Sequence, residues 1–251
     1  MKKAKKKKEK RKLPKKKILI KIKTMFLKLK IFRFNPETKE QRYDHFEIPY
    51  EEGMTFLRAF QKIKEEIDPS LSFRAFCRAG ICGTCTVFIN GFPKLACKEQ
   101  TLPYVLLGKE VVVEPLDKFE VIKDLVIESE GVINKMKRLR LWIREYQGEV
   151  RIPPEVNKKI EKGADCILCL ACQSYCPQVL EEEYAGPLFF AKIYRFLEDT
   201  RETDKALRIK EALEGNLYHC LSCNKCNTAC PKEVEPATLI RELMLIKEDI
   251  T

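Results

Sequence analysis

Alternating apolar and polar side chains mark the first regular element of the chain. Between Phe26 and Phe34, three aliphatic residues share one face and two lysines share the other, a period of two that predicts a half-buried β-strand. The aliphatic residues are Leu27, Leu29 and Ile31. Asn35-Pro36 predicts a turn, and the segment from Tyr43 to Tyr50 predicts a second strand. The two strands are therefore expected to form a β-hairpin.

The next segment combines a helix with further short strands. Thr55 is a favourable N-cap for a helix whose apolar residues recur at helical spacing. Those residues are Phe56, Phe60, Ile63 and Ile67. Thr86 to Ile89 is β-branched and aromatic, Asn90-Gly91 is a tight-turn pair, and Val111 to Val113 predicts another strand. The chain up to about residue 116 is therefore expected to be α+β.

Beyond about residue 130 the pattern becomes helical. Three segments carry helical periodicity, and Gly215 is well placed to end the second of them. The segments are 187–198, 203–214 and 236–247. Another helix is predicted from Val132 to Tyr146, and Pro153-Pro154 prevents its continuation. The expected units are a tail at 1–24, an α+β domain at 25–128, a linker helix at 129–150 and an all-helical domain at 151–251.

The formal net charge of +11 is concentrated at the N-terminus. Residues 1–17 hold the whole excess, and the rest of the chain carries equal numbers of basic and acidic residues. Such a lysine block repels itself, so we expect residues 1–24 to be a disordered tail. Docking of this tail on anionic lipid or nucleic acid is the alternative. The neutral remainder argues against a nucleic-acid-binding protein.

The twelve cysteines carry the chemistry. The sequence has neither a transmembrane helix nor the apolar core of a secretory signal, so we expect a cytoplasmic protein with reduced thiols. Reduced thiols favour metal ligands over disulfides. There is also no Gly-rich phosphate motif, so we expect no FAD or NAD site in this chain.

The first four cysteines have the spacing of a 2Fe-2S loop. They are Cys77, Cys82, Cys85 and Cys97, spaced C-x4-C-x2-C-x11-C, and the first three match the plant-type pattern. Four thiolates must converge on one small cluster, so Gly80 and Gly83 are expected to let the backbone fold tightly with its amides turned inward. Disulfides or zinc would not need this pattern.

The other eight cysteines form two runs of the bacterial ferredoxin type, C-x2-C-x2-C-x3-C-P. In such paired runs three cysteines hold one cluster and the fourth ligates the other. We therefore assign Cys166, Cys169, Cys172 and Cys230 to one 4Fe-4S cluster, and Cys176, Cys220, Cys223 and Cys226 to a second. Two four-cysteine zinc sites are the alternative, but zinc needs neither the third close cysteine nor the proline. Three clusters in one chain predict an electron-transfer protein with no catalytic residue of its own.

In this order, the motifs resemble the iron–sulfur subunits of succinate dehydrogenases and fumarate reductases. The similarity extends from Met25 to the C-terminus. The stretches that carry it are 72–74, 77–83, 95–97, 115–116, 121–126, 184–187, 194–196, Asp199 and Arg201.

The resemblance implies a fold, partners and a location. The fold would be α+β, with a β-grasp 2Fe-2S ferredoxin-like domain followed by an α-helical ferredoxin domain. An FAD-containing subunit would interconvert succinate and fumarate, and this chain would relay electrons between that flavin and a distal acceptor. The complex would lie peripherally on the inner face of the cytoplasmic membrane.

Three positions depart from typical members of that family. Cys223 stands where they carry an aliphatic residue and bind 3Fe-4S, so the distal cluster is expected to be 4Fe-4S, or 3Fe-4S if Cys223 is not a ligand. The family's quinone-site tryptophan after Pro177 is missing, and Leu221 replaces a histidine. These features resemble a non-classical branch whose membrane-side partner is similar to a heterodisulfide reductase subunit; a membrane-anchor subunit is the alternative partner. The acceptor would then be a quinone or a thiol/disulfide pair.

One further alternative stays open. The chain could be a ferredoxin-like carrier, or an adaptor that serves a heterodisulfide reductase or a thiol:fumarate reductase. In some thiol:fumarate reductases a cysteine-rich domain is fused to this subunit; here it is expected to be a separate chain.

Overall fold

The computed structural model describes residues 25–143, 146, 148–180 and 183–248. The predicted tail at 1–24 lies outside the described residues, so its expected disorder stays a prediction.

A five-stranded mixed sheet with the order β2-β1-β5-β3-β4 organises the first half of the chain. Its strands are β1 (Phe26–Phe34), β2 (Gln41–Pro49), β3 (Thr86–Ile89), β4 (Phe92–Leu95) and β5 (Val111–Glu114). The predicted hairpin is confirmed, since β1 pairs with β2 in antiparallel register. Strands β3 and β4 also pair antiparallel, across the predicted Asn90-Gly91 turn. The turn at Asn90 and Gly91 has positive φ at both residues, 49° and 75°, as a two-residue type I′ turn requires.

The buried face of the sheet and one capped helix form the first core. Leu27, Leu29 and Ile31 are each at most 1% exposed, because alternation sends them all to one side of β1. Helix α1 (Phe56–Lys62) begins after Thr55, whose hydroxyl accepts a hydrogen bond from the backbone N–H of Arg58. Its last turn widens into a π-helical segment, Ile63–Ile67, that ends at Asp68.

Short helices build the second half of the described chain. The helices after α1 are α2 (Leu102–Leu107), α3 (Glu130–Arg138), α4 (Pro154–Ala164), α5 (Ala171–Tyr175), α6 (Pro187–Glu198), α7 (Lys205–Glu214), α8 (Lys225–Ala229) and α9 (Pro236–Glu248). A two-stranded sheet, β6 (Val121–Lys123) with β7 (Val126–Ile127), precedes α3. The three helices predicted around 187–198, 203–214 and 236–247 are confirmed, with Gly215 as C-cap of α7.

The predicted helix from Val132 to Tyr146 is shorter than expected. It ends at Arg138, and Leu139 and Leu141 turn into the core at 4% and 7% exposure. The buried Arg208 guanidinium donates to the carbonyls of Arg140 and Trp142 at 2.9 and 2.7 Å. These carbonyls are thereby satisfied outside a helix, which the sequence pattern could not reveal.

The second core crosses from the helical region into the first half of the chain. Helix α6 is buried along most of its length, and its cluster of apolar contacts includes Phe88, Leu116 and Ile127. The two halves therefore pack against each other through apolar side chains and not only through the linker.

Candidate iron–sulfur centres

The loop between α1 and β3 surrounds Cys77 with backbone amides. The N–H groups of Ala79, Ile81 and Cys82 donate to the Cys77 sulfur at 3.4, 3.3 and 3.2 Å. Gly80 takes the positive φ, 72°, that this inward turn needs. These amides lower the pKa of the Cys77 thiol to about 6. The predicted inward-turned amides are thus confirmed for this sulfur.

The two later cysteines of this group belong to the sheet. Cys85 directly precedes β3 and Cys97 is the second residue after β4, and both are buried, at 5% and 7% exposure. The N–H of Ala96 donates to the Cys85 carbonyl at 3.0 Å, which holds the hairpin ends together. Burial raises the pKa of Cys85 to about 12, with Cys97 and Cys82 beside it. The hairpin thus returns Cys97 to the loop.

One cavity in the helical region is lined by cysteines from both runs. Its thiols belong to Cys166, Cys169, Cys172 and Cys230. Most of the remaining wall is apolar, with Leu188 and Ala191 of α6. Burial raises the pKa of Cys169 to about 11, with the thiols of Cys166 and Cys230 nearby. The structure thus gathers the first predicted set of four, three from one run and one from the other.

A second cavity gathers the complementary set. Its thiols belong to Cys176, Cys220, Cys223 and Cys226. Burial raises the pKa of Cys226 to about 12, and the three other thiols of the set add to the rise. Cys223 is exposed, whereas Cys176 and Cys226 are buried.

Both runs use the same backbone geometry to turn their sulfurs inward. Leu168 and Leu170 in the first run, and Ser222 and Asn224 at the equivalent places in the second, all have φ between 51° and 64°. A leucine or serine loses roughly 1–2 kcal/mol in this left-handed region, whereas asparagine tolerates it. Paired strain of this kind is typical of a functional loop, and the Ser222 N–H accordingly points at the Cys220 sulfur at 3.5 Å.

Gly83 joins the first centre to the second. Its φ is 72°, and a Cβ at this position would lie 2.8 Å from the Cys169 Cα and from the Ile167 carbonyl oxygen. The loop that holds Cys82 and Cys85 therefore touches the loop that holds Cys169, backbone to backbone. Helix α5, which carries Cys172, in turn packs against α8, which carries Cys226, so the three groups of cysteines follow one another through the molecule.

The donor sets suit iron–sulfur clusters. Among the residues that the structure describes, no group of three or more His, Cys, Asp or Glu side chains is arranged to hold a single metal ion. Four thiols instead line each of two cavities, and thiolates are the usual ligands of 2Fe-2S and 4Fe-4S clusters.

Two lysines lie near these cavities, and the sequence pattern did not predict a role for either. The Lys192 ammonium donates to the carbonyls of Gly163 and Cys166 at 3.0 and 3.3 Å. The Lys118 ammonium donates to the carbonyl of Cys176. Both contacts join residues at least 26 positions apart, so neither has a local signal in the sequence.

In the described part of the chain, no helix has the length and apolar character to cross a membrane.

Two family profiles match the chain. The 2Fe-2S iron–sulfur cluster binding domain matches residues 28–134, and the 4Fe-4S dicluster domain matches residues 162–234. The chain therefore combines a 2Fe-2S domain with a 4Fe-4S dicluster domain, in the order that the cysteine spacing predicts.

The solved Mycobacterium smegmatis Sdh1 complex in the apo form contains a chain of the same fold. The TM-score is 0.81 at 24% identity, over 91% of this chain and 98% of that chain. The expected α+β domain followed by a helical ferredoxin domain is thereby confirmed.

Other relatives are more similar to this chain in sequence than the Sdh1 chain is. One subunit of the CoM/CoB fumarate reductase of Methanothermobacter marburgensis is 37% identical over 221 residues, which are 86% of this chain and 43% of that protein. This chain spans about two fifths of the length of three of the curated relatives it matches. The fumarate reductase iron–sulfur subunit of Escherichia coli is 32% identical over 224 residues, 86% of this chain and 91% of that protein. The chain therefore belongs to the family of succinate dehydrogenase and fumarate reductase iron–sulfur subunits.

Proposed function

We propose that this chain is the electron-transfer subunit of a succinate dehydrogenase or fumarate reductase complex. The observation that carries the proposal is the pair of cavities, each lined by four cysteines drawn from both runs. The proposed ligands are Cys77, Cys82, Cys85 and Cys97 for a 2Fe-2S cluster, Cys166, Cys169, Cys172 and Cys230 for a 4Fe-4S cluster, and Cys176, Cys220, Cys223 and Cys226 for a second one. When bound, these clusters accept and release one electron at a time.

The residues of the chain set the order of the centres. Electron tunnelling weakens steeply with distance, so successive centres must lie close together. The backbone contact of Gly83 with Cys169 supports a step from the first centre to the second. The packing of α5, which carries Cys172, against α8, which carries Cys226, supports a step from the second to the third. In this proposal the polypeptide holds the centres at fixed positions and buries Cys85, Cys172 and Cys226 away from water.

The two ends of this path differ in what they offer to partners. Phe76 and Ile81, beside Cys77, are 83% and 65% exposed, an apolar surface that suits an FAD-containing partner which interconverts succinate and fumarate. At the other end, Cys223 is exposed and Leu221 is 61% exposed. The distal acceptor would bind there.

The nature of that acceptor is the finer part of the proposal. The 37% identical relative is named as part of a CoM/CoB fumarate reductase. This name favours a thiol/disulfide pair as the acceptor, with electrons passing to it through a heterodisulfide-reductase-like partner. A quinone at a membrane-anchor subunit is the other option. In either case the complex would lie at the inner face of the cytoplasmic membrane.

Anaerobic purification of the native complex tests the main proposal. We expect co-purification with a flavoprotein, succinate-dependent reduction of a dye, and about ten iron atoms per chain, the sum for one 2Fe-2S and two 4Fe-4S clusters. A preparation that contains zinc, or that has no flavin subunit, would contradict the proposal.

The fourth ligand of the distal cluster has its own test. With Cys223→Ser, we expect a 3Fe-type paramagnetic signal in the oxidised protein that the unmodified protein lacks. Ser222→Ala, which changes the neighbouring residue and keeps all four thiols, serves as the control. Identical spectra for Cys223→Ser and the unmodified protein would mean that Cys223 is not a ligand and that the distal cluster is of another type.

A second candidate function is a ferredoxin-like carrier or an adaptor that serves a heterodisulfide reductase or thiol:fumarate reductase. The exposed Cys223 favours it, because an exposed centre can donate to a transient partner. Purification again discriminates: the carrier would be isolated with its iron and without a stable flavin subunit.

A further inference from the structure

Lys192 places an ammonium group beside the Cys166 end of the first cavity. It lies on α6, is partly buried, and donates to the carbonyls of Gly163 and Cys166. Its other charged neighbours are Arg195 and Asp165, whose charges oppose each other. The ammonium therefore lies at the backbone of a cysteine whose sulfur lines the cavity.

Lys118, from the first half of the chain, places an ammonium group beside the Cys176 end of the second cavity. It lies in the turn between β5 and β6 with a φ of 64°, a conformation that is unfavourable for lysine. Its ammonium donates to the carbonyl of Cys176, whose sulfur lines the second cavity. The Ser174 hydroxyl, which donates to the carbonyl of Asp117 at 3.1 Å and also contacts its carboxylate, fixes this turn.

We propose that Lys192 and Lys118 each raise the reduction potential of one cluster, Lys192 that of the cluster at Cys166 and Lys118 that of the cluster at Cys176. The inference rests on the proposed function, since it requires both clusters to be bound. Reduction adds one electron to a centre that already carries negative charge, and a nearby positive charge stabilises the reduced form more than the oxidised form. Charge, hydrogen bonding and solvent exposure are the levers that set these potentials.

Partial burial is what makes these two lysines effective. Water and salt screen a fully exposed ammonium, but screen a buried one much less. Lys232 offers the comparison, because it lines the same cavity as Cys166 and Cys230 but is exposed. It should influence the same cluster less than Lys192 does.

Replacement of each lysine by methionine tests the proposal in the purified holoprotein. In an anaerobic redox titration with dithionite, followed by paramagnetic resonance, Lys192→Met should lower the midpoint potential of one 4Fe-4S step and leave the other unchanged. Lys118→Met should do the reverse, so that each variant is the control for the other. The step that changes in Cys223→Ser identifies the cluster at Cys176.

Arginine variants distinguish the effect of the positive charge from the effect of the hydrogen bonds that hold the loops in place. Lys192→Arg and Lys118→Arg keep the positive charge and should keep both potentials near their original values. Lys232→Met should give a smaller shift than Lys192→Met.

Three outcomes would overturn the proposal: unchanged potentials in both methionine variants, equal shifts of both clusters in each variant, or a shift in Lys232→Met as large as in Lys192→Met. Failure of the proposed function is distinguishable: without the clusters the unmodified protein would lack the 4Fe-4S signals and the expected iron, and without the subunit role it would lack a flavoprotein partner while both titration steps remained measurable.

Discussion

The two halves of this molecule hold their cysteines on different kinds of structure. In the first half, Cys77 to Cys97 lie within one loop and hairpin, at the edge of an apolar core that contains Leu29, Phe56 and Val113. In the second half, the cysteines line cavities between short helices such as α5 and α8, of five residues each. Isolated helices of this length are unstable. The second half has a buried core around α6, but the segments that carry its cysteines depend on what the cavities hold, whereas the cysteines of the first half are attached to the sheet.

Iron removal should produce the largest contrast between the halves. After anaerobic chelation, we expect the helical region to lose protection against hydrogen exchange, an effect on the order of its whole stability of ~5–15 kcal/mol, because cluster binding contributes directly to its folding. Strands β1 and β5 should stay protected. Mass spectrometry of exchanged peptides measures this, and reconstitution with iron and sulfide is the control. Equal loss in both halves would show that the sheet domain also needs its cluster.

Arg208→Met tests whether ionic contacts add to the helical half independently of iron. Arg208 is fully buried and pairs with Glu202 and Glu211 at 2.5 and 2.9 Å. Breaking such a pair should cost about 3–5 kcal/mol, seen as a lower midpoint in anaerobic thermal unfolding. Lys210→Met, which breaks only an exposed pair with Glu214, should cost under about 1 kcal/mol. Similar losses in both variants would contradict this assignment.

Gly83→Ala tests the junction between the halves. Both Gly83 and Gly91 have positive φ, 72° and 75°, but only at Gly83 does an added Cβ meet neighbouring backbone. Gly91→Ala should therefore cost about 1–2 kcal/mol from backbone strain alone, and Gly83→Ala roughly 1–3 kcal/mol more from overpacking. Thermal unfolding measures both, and slower reduction of the 4Fe-4S clusters should accompany only Gly83→Ala. Equal effects would mean that the loops can separate freely.

Asp68→Asn should give the smallest effect and should be confined to the first half. Hydrogen bonds from Ser70 and Arg33 lower the pKa of Asp68 from 3.8 to about 2. The folded pKa lies below the unfolded one, so this stabilisation is complete above about pH 4 and is lost as the pH falls towards 2. At pH 7 the variant should lose about 1–2 kcal/mol, measured by urea unfolding of the sheet domain within the holoprotein. Glu65→Gln, in an exposed pair with Arg58, is the control, and an equal loss there would contradict the prediction.

Local patterns in the sequence predicted the local structure well. Alternation in β1, the Asn90-Gly91 turn and the Thr55 cap each depend on neighbouring residues only, and all three are confirmed. Cysteine spacing likewise predicted which thiols would share a cavity, because three-residue spacing and the following proline constrain each run tightly. The cysteines that line each cavity therefore followed from the spacing within each run, together with the rule that the fourth cysteine of each run joins the other set.

Contacts between distant segments could not be predicted in this way. The helix after residue 130 ends early because Arg208, far along the chain, binds the carbonyls of Arg140 and Trp142. The close approach of Gly83 to Cys169 and the lysine at Cys176 likewise depend on how the halves pack. Tertiary contacts of this kind override local propensity.

The exchange of cysteines between the two runs constrains the order of biosynthesis. The first cavity lacks its fourth thiol until Cys230 has been synthesised. The second lacks three of its four until Cys220 has been synthesised, and it is complete only with Cys226. At roughly 5–20 residues per second, the nascent chain carries Cys166, Cys169 and Cys172 for several seconds before their partner emerges from the ribosome. Any factor that inserts iron here must therefore act after nearly the whole helical region has been synthesised, or must protect the reactive thiols until Cys230 is available.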